Sequence, residues 1–445
     1  MECSALSVVL EGFEGPAGAQ SIAAHISRLV ARGVLTPGQR LPTVRRTASA
    51  FSVSATTIGE VWQTLGRSGV IETGGRRGTF VRAAAVDQAP RFWHLYPPEI
   101  GDQGIDLSEG VPDPRLLPDL TPFLASLTSP STSSYLDAPV LPHLDTILRE
   151  RWPFEPEALT VVDGALDALD RLVSQLVRPG MRVLVEEPGF PPLYDILELA
   201  GAEVVGLPID SEGVVPEPLE AALKQFASVI VLQPGEHNPT GFRLSERRST
   251  ELSQILAGSG TIIIEDDHRP FDDGVSLGLR LPGQTVHIRS FSKTHGPEIR
   301  LAAVGGAGAP IRELVRRRQL GPGWSSRLLQ ELLANLLESE RVKADIANAQ
   351  RTYAERRVAI TQVLDQRGVS YARGEGMNLW IEVADERSAL VALASQGIVV
   401  APGGPFVLSN QTNHVRVTVG TVDKDHTELA HSLADAALRR GRADV

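Results

Sequence analysis

The 445-residue chain has a single cysteine, Cys3. A disulfide framework and a cysteine-ligated zinc site are thereby excluded, and no metal site is expected. No apolar run reaches the roughly 18 residues that a membrane-spanning helix needs. The opening stretch carries Glu2, Glu11 and Glu14 but no Lys or Arg up to Gly15, unlike a secretory leader. A cytoplasmic protein that does not enter a membrane is the expectation. Lysine is scarce as well: Lys224, Lys293, Lys343 and Lys424 stand against 39 arginines. Arg can replace Lys at most surface positions but cannot act as a Schiff-base amine, so a lysine kept inside a motif is a chemical candidate.

What is present is an ordinary globular balance, 42% hydrophobic and 22% charged, at a length that suggests two or three domains. The charge is unevenly spread. Residues 19–82 hold nine Arg and two acids (+7), residues 1–18 hold three acids (−3), and a total of −11 leaves −15 for the remainder. A basic module precedes an acidic body, a pattern that suits a polyanionic partner for the first part.

Within 19–82, Ser21–Arg32 has Ile22, Ile26, Leu29 and Val30 at helical spacing. A second helix is expected over Thr43–Phe51, with Thr43 as its N-cap, and a third over Ala55–Leu65, capped by Ser54. The tight SVS connection between these two makes a helix-turn-helix. Val70–Glu72 and Thr79–Val81 flank a glycine-rich basic tip and read as a hairpin. The start of the third helix would enter the major groove with Ser54, Ala55, Thr56 and Thr57, while Arg40, Arg45, Arg46, Arg76 and Arg77 would meet phosphates. The run GQRLPTVRRTASAFSVSATTIGEVWQTLGRSGVIETGGRRGTFV resembles the winged helix of GntR-type bacterial regulators. That resemblance implies double-stranded DNA as partner. Ala55 stands where that family usually has Arg.

Residues 83–105 read as a connector with some packed aromatics. Beyond them, short β-branched runs alternate with helical stretches: Arg182–Glu186, Ala202–Leu207, Ser228–Leu232, Thr261–Glu265 and Thr285–Ile288. This is an α/β pattern with a mostly parallel sheet, whose ligands sit at the carboxyl ends of the strands. Polar residues follow those ends: Glu187-Pro188-Gly189-Phe190, His237-Asn238-Pro239-Thr240-Gly241, Glu265-Asp266-Asp267-His268, and Ser290-Phe291-Ser292-Lys293 with Arg300 seven residues on. GGAGAP at 305–310 lacks the G-x-G-x-x-G form and any evident strand–helix context, so a nicotinamide cofactor is a poor rival.

The set suits pyridoxal 5′-phosphate. Lys293 supplies an amine for the cofactor aldehyde, Asp266 a carboxylate for the pyridine nitrogen, Asn238 a donor for the phenolic oxygen, and Phe190 an aromatic face. Gly164, Ala165 and Leu166 at a helix start, with Ser290 and Arg300, suit the phosphate. Residues 106–440 resemble a fold type I, class I aminotransferase domain: a large domain with a mostly parallel sheet and a smaller C-terminal α+β domain. The resemblance assigns the same roles to these residues. It also implies that Tyr135 reaches the neighbouring subunit's phosphate and that Arg416, in HVRVTVG, grips an α-carboxylate. His268 stands where the family usually has Tyr beside the phenolic oxygen, and Leu136 and Val140 replace two glycines of its Y-G-D-P-x-G pattern.

A GntR-type winged helix ahead of such a domain resembles the MocR subfamily of bacterial transcriptional regulators. This implies a homodimer, with domain swapping as one arrangement, and the first expectation is a regulator whose aminotransferase-like domain senses pyridoxal phosphate, or an amino-acid-like effector, through an aldimine. The expected divisions are an extension (1–18), winged helix (19–82), linker (83–105), large domain (106–325) and small domain (326–445). The competing reading is an active aminotransferase that carries a DNA-binding head.

Overall fold

The computed structural model describes all residues except 1, 11, 14–16, 32–33, 37, 68–69, 74–77, 82–89, 96–103, 128–133, 270–273, 423–425 and 440–445. The chain divides into two compact units, one of residues 1–89 with 178–181 and 199–203, the other of the remaining residues.

The first unit has four helices, α1 (Glu2–Leu10), α2 (Ala19–Ala31), α3 (Val44–Phe51) and α4 (Ala55–Arg67), then strands β1 (Ile71–Thr73) and β2 (Thr79–Val81). The apolar residues spaced along α2 and α4 meet in one core: Ile22, Ile26 and Leu29 with Ile58, Val61, Trp62 and Leu65. Ser52 adopts the left-handed conformation (φ 55°) and its N–H bonds back to Ala48 and Ser49, which ends α3 and turns the chain into α4. Thr43 occupies the N-cap position of α3 but makes no side-chain cap bond; its carbonyl is engaged by Thr47 instead. β1 and β2 pair antiparallel as the hairpin. From residues 1–18, whose role the sequence leaves open, Val9 joins this core and Val8, Leu10 and Phe13 pack against it. Val9 is fully buried, His25 Nε2 lies 3.1 Å from its carbonyl, and the Phe13 ring packs edge-on against Phe51 at 4.9 Å.

The second unit contains strands β3 (Ile105–Leu107), β4 (Ala158–Val162), β5 (Arg182–Glu187), β6 (Glu203–Asp210), β7 (Gly213–Val214), β8 (Val229–Leu232), β9 (Ile262–Asp267), β10 (Thr285–Ser290), β11 (Ala302–Gly306), β12 (Asn378–Glu382), β13 (Ile398–Pro402) and β14 (His414–Thr418). One eight-stranded sheet runs β4-β11-β10-β9-β8-β5-β6-β7. β5, β8, β9 and β10 are mutually parallel, and β11 is inserted antiparallel. The central strands are apolar along their length because helices cover both faces; Val183–Val185 and Val229–Leu232 are buried. A smaller sheet, β12-β14-β13-β3, packs on the long helix Glu340–Gln366 and the helix His426–Ala437. The segment at the expected linker boundary belongs to that C-terminal sheet: Ile105–Leu107 pairs parallel with Ile398–Val400.

One sequence expectation needs correction. GGAGAP does lie between a strand and a helix, β11 and Gly308–Gln319. Its glycines answer packing: a Cβ on Gly305 would come 2.7 Å from the Trp152 ring, and one on Gly306 2.1 Å from the Thr285 carbonyl. Because β11 is antiparallel, its carboxyl end also points away from the edge where the parallel strands end.

Candidate functional site

The parallel strands deliver their last residues to one edge. On β9, side chains alternate. Glu265 and Asp267 take one face, where Glu265 accepts from Ser276 Oγ, the Leu277 amide and His287 Nδ1 (2.5–2.8 Å) and Asp267 pairs with Arg269 at 2.8 Å. Asp266 takes the other and accepts a hydrogen bond from Gln233 Nε2 at 2.9 Å. Burial raises the Asp266 carboxyl to about 6, while the Gln233 bond and the Lys293 charge oppose that rise. Gln233 Oε1 in turn accepts the Asn238 amide N–H at 3.0 Å. One side chain thus ties Asp266 to Asn238.

Lys293 follows β10, and its Nζ donates to the Gly110 carbonyl. Burial and the neighbouring Arg416 guanidinium lower its amine to about 8, against the pull of Asp266 and Glu236. An amine lowered this far is poised as a nucleophile. Arg416, on β14, is buried over the Phe406 ring at 5.1 Å. It donates to the Ser108 carbonyl and, at 3.3 Å, to Asn238 Oδ1. The segment 108–110 therefore meets both cations. His268 is pushed down to about 4 by burial and by Lys293, which leaves a neutral imidazole.

Gly164 (φ 106°) caps the helix Ala165–Leu176, whose first amides have no helical partner. A Cβ at Gly164 would lie 3.4 Å from Arg300 Nη2, so this guanidinium sits against the glycine. Ser290, buried at the end of β10, accepts the Ser292 amide at 3.4 Å. Phe190 lines one cleft with Asp266, Gln233, Glu186 and His237. Tyr135 stands apart: it is 90% exposed, its ring stacks on Trp324 at 6.2 Å, and it makes no hydrogen bond with the residues above.

Sequence reading missed Gln233 and Glu186, although both lie at strand ends where a site was expected. Glu186 accepts the Gln233 amide at 2.6 Å, and burial raises its carboxyl to about 8. His237 Nε2 is 3.6 Å from it, and burial lowers that imidazole to about 3.

In the first unit, Ser54 Oγ accepts the Thr57 amide at 3.0 Å, the capping bond expected of it, and lies 2.8 Å from Thr57 Oγ1. Ser54, Ala55 and Thr56 are exposed at the start of α4, as are Arg45 and Arg46 on α3. Arg40 is exposed, bridges to Phe80 and lies against Gly78 at the hairpin. Arg76 and Arg77 fall outside the described residues. Among the described residues no acidic, His or Cys cluster is set to hold a metal, and no helix is long and apolar enough to cross a membrane.

A half-buried amine, a buried carboxylate that acts on it electrostatically, and a guanidinium beside a glycine-capped helix start form a donor set that fits pyridoxal phosphate. Comparison with known proteins agrees. Residues 102–433 match the family "aminotransferase class I and II", and residues 19–81 match "bacterial regulatory proteins, gntR family". In fold, the chain is similar to the α-aminoadipate aminotransferase LysN of Thermus thermophilus, with TM-score 0.69, 23% identity, and 80% of this chain and 96% of that one covered. The chain is therefore a GntR-type DNA-binding head joined to a fold type I aminotransferase-like domain, a fold whose cofactor is pyridoxal 5′-phosphate. It is 33% identical to the vitamin B6 salvage pathway transcriptional repressor PtsJ of Salmonella typhimurium, over 95% of this chain and 99% of that one. With the pyridoxine biosynthesis regulator PdxR of Corynebacterium glutamicum it shares 26% identity, over 81% of each chain. The chain belongs to the MocR subfamily of GntR-type transcriptional regulators.

Proposed function

We propose that this protein regulates transcription by binding operator DNA through its head while its aminotransferase-like domain senses pyridoxal phosphate, or an amino compound captured with it, at Lys293. One observation carries the reading: a GntR-type helix-turn-helix with an exposed α4 start shares a chain with half-buried Lys293 and the bridged set Asp266, Gln233 and Asn238. The cofactor supplies an electrophilic aldehyde and an electron-accepting ring. Lys293 offers the amine, and Asp266, oriented by Gln233, faces the ring nitrogen. Asn238 and neutral His268 serve the phenolic oxygen, Phe190 covers the ring, and Gly164, Ala165, Leu166, Ser290 and Arg300 hold the phosphate. Arg416 receives an effector carboxylate once it releases the Ser108 carbonyl. The likeness to PtsJ supports the vitamin B6 pool as the sensed quantity. Exposed Tyr135 is free to serve a second subunit, so the working unit is a homodimer, which would present two heads to two half-sites.

A ligand can shift such a regulator only by binding its two arrangements unequally. The test is binding to DNA from the gene's own upstream region, with and without pyridoxal phosphate, for wild type and Lys293→Ala. The expected result is a change of about tenfold in operator affinity for wild type alone, a typical coupling between sites. Identical binding in all four cases would refute cofactor sensing.

A further inference from the structure

The connector that follows the head is anchored in its middle. Arg91–Leu95 forms a short 3₁₀ turn. The amides of Arg91 and Phe92 both donate to the Asp195 carboxylate, at 2.9 Å each, on the helix Pro191–Leu199 that follows β5. The Arg91 guanidinium donates to the Val407 carbonyl at 2.8 Å and to Glu198 at 2.9 Å, and lies over the Tyr194 ring at 5.5 Å. Leu95 is buried with Trp380, Ala401 and Phe406, and Phe92 packs against the same group. A plain spacer keeps its backbone solvated and its side chains free. Here two amides, a guanidinium and two apolar side chains are fixed at once, against the helix after β5 and the turn after β13.

That turn, Gly404–Phe406, also supports the site. The Phe406 ring faces the Arg416 guanidinium at 5.1 Å. The Phe406 carbonyl accepts the Gly189 amide at 2.8 Å, and Gly189 immediately precedes Phe190, the residue assigned to the face of the cofactor ring. The Leu408 amide donates to Glu187 Oε1 at 2.8 Å. Tyr194, over whose ring Arg91 lies, donates its hydroxyl to the Glu186 carbonyl at 2.7 Å. The fit is close: a Cβ on Gly189 would come 2.4 Å from that carbonyl oxygen and 2.7 Å from the Tyr194 hydroxyl. One turn therefore touches the effector arginine, the residue beside the ring's cover, and the connector to the head.

We propose that Arg91–Leu95 is the strap through which the site acts on the head. The turn Gly404–Val407 shifts when Arg416 receives a carboxylate and Phe190 meets the cofactor ring, and Arg91 and Phe92 carry that shift into the connector. Close-packed contacts pass on a displacement of this kind, because they have discrete arrangements and little slack. Arg91 and Asp195 are positioning residues that hold the strap in register with the turn. The proposal rests on the reading that this domain senses cofactor or effector, and it names the element that links sensing to DNA.

The test measures operator affinity of the full-length protein with and without pyridoxal phosphate, for wild type, Arg91→Ala and Asp195→Ala, on DNA from the gene's own upstream region. Wild type should show a cofactor effect of about tenfold. In both variants that ratio should fall below about twofold, while cofactor affinity by absorbance titration and cofactor-free operator affinity each stay within about threefold of wild type. A merely structural role would weaken those affinities and leave the ratio intact. Hydrogen exchange in wild type gives a second reading that needs no variant: the amides of Arg91 and Phe92 should change their exchange rate by at least about threefold when cofactor binds. A ratio that survives both substitutions, cofactor affinity weakened beyond about threefold in the variants, or unchanged exchange at the two amides would each overturn the proposal. A wild type without a cofactor effect would refute the regulator reading and the strap with it. A coupled wild type beside equally coupled variants removes the strap alone.

Discussion

Glu186→Gln should stabilise the protein, increasingly so as pH rises. Glu186 is buried at the end of β5, accepts the Gln233 amide at 2.6 Å and faces His237, which stays neutral near pH 7. Burial raises its carboxyl from 4.5 to about 8. The folded state therefore keeps a proton that the unfolded chain releases above pH about 4.5, and stability falls by roughly 1.4 kcal/mol per pH unit through the interval up to pH about 8. At pH 7 the accumulated cost is on the order of 3 kcal/mol, and above pH 8 on the order of 5 kcal/mol. Glutamine keeps the shape and the acceptor for the Gln233 amide but cannot ionise, so it removes that slope. Urea unfolding of the cofactor-free protein, followed from pH about 5 to about 8, reads the difference directly. Variant and wild type should agree to within about 1 kcal/mol at the acid end and separate steadily toward the alkaline end. A difference that stays flat across the range, or a variant less stable at pH 7, would refute the assignment of a proton to Glu186.

Gln233→Leu removes both the donor to Asp266 and the acceptor for the Asn238 amide. The loss of a hydrogen bond to a charged group, about 1.5–3 kcal/mol, predicts pyridoxal phosphate affinity weaker by roughly 10- to 100-fold; absorbance titration checks it, and a change under about threefold counts against the bridging role. Val9→Ala opens a gap in the head's core and should cost roughly 1–3 kcal/mol. Deleting residues 1–18 should cost more, because Phe13 goes too. Urea midpoints of the full chain and its truncation decide, and an unchanged midpoint would mean that the N-terminal segment adds nothing to the fold.

Much of the site was legible because its parts are short local motifs. Ser290, Lys293 and Arg300 lie within eleven residues, and Asn238 sits in a compact HNPTG turn. A β-strand delivers its last side chain to the sheet edge whatever surrounds it, so such motifs carry positional meaning by themselves. Gln233 was not legible, because its role is a contact with Asp266, 33 positions away, made only when β8 and β9 pair in register. The role of residues 1–18 stayed open because the burial of Val9 and the partial burial of Phe13 exist only once the helices pack.

The sequence by itself determined the fold class and the helix-turn-helix, and it singled out Lys293 and Asp266 as candidates, since each rests on local periodicity or a short motif at a strand end. The tertiary structure alone decided which carboxylates keep their protons, which arginines have partners, and that Ile105–Leu107 belongs to the C-terminal sheet. Those properties depend on desolvation and on contacts between residues far apart in the chain, and neither exists until the sheets are assembled.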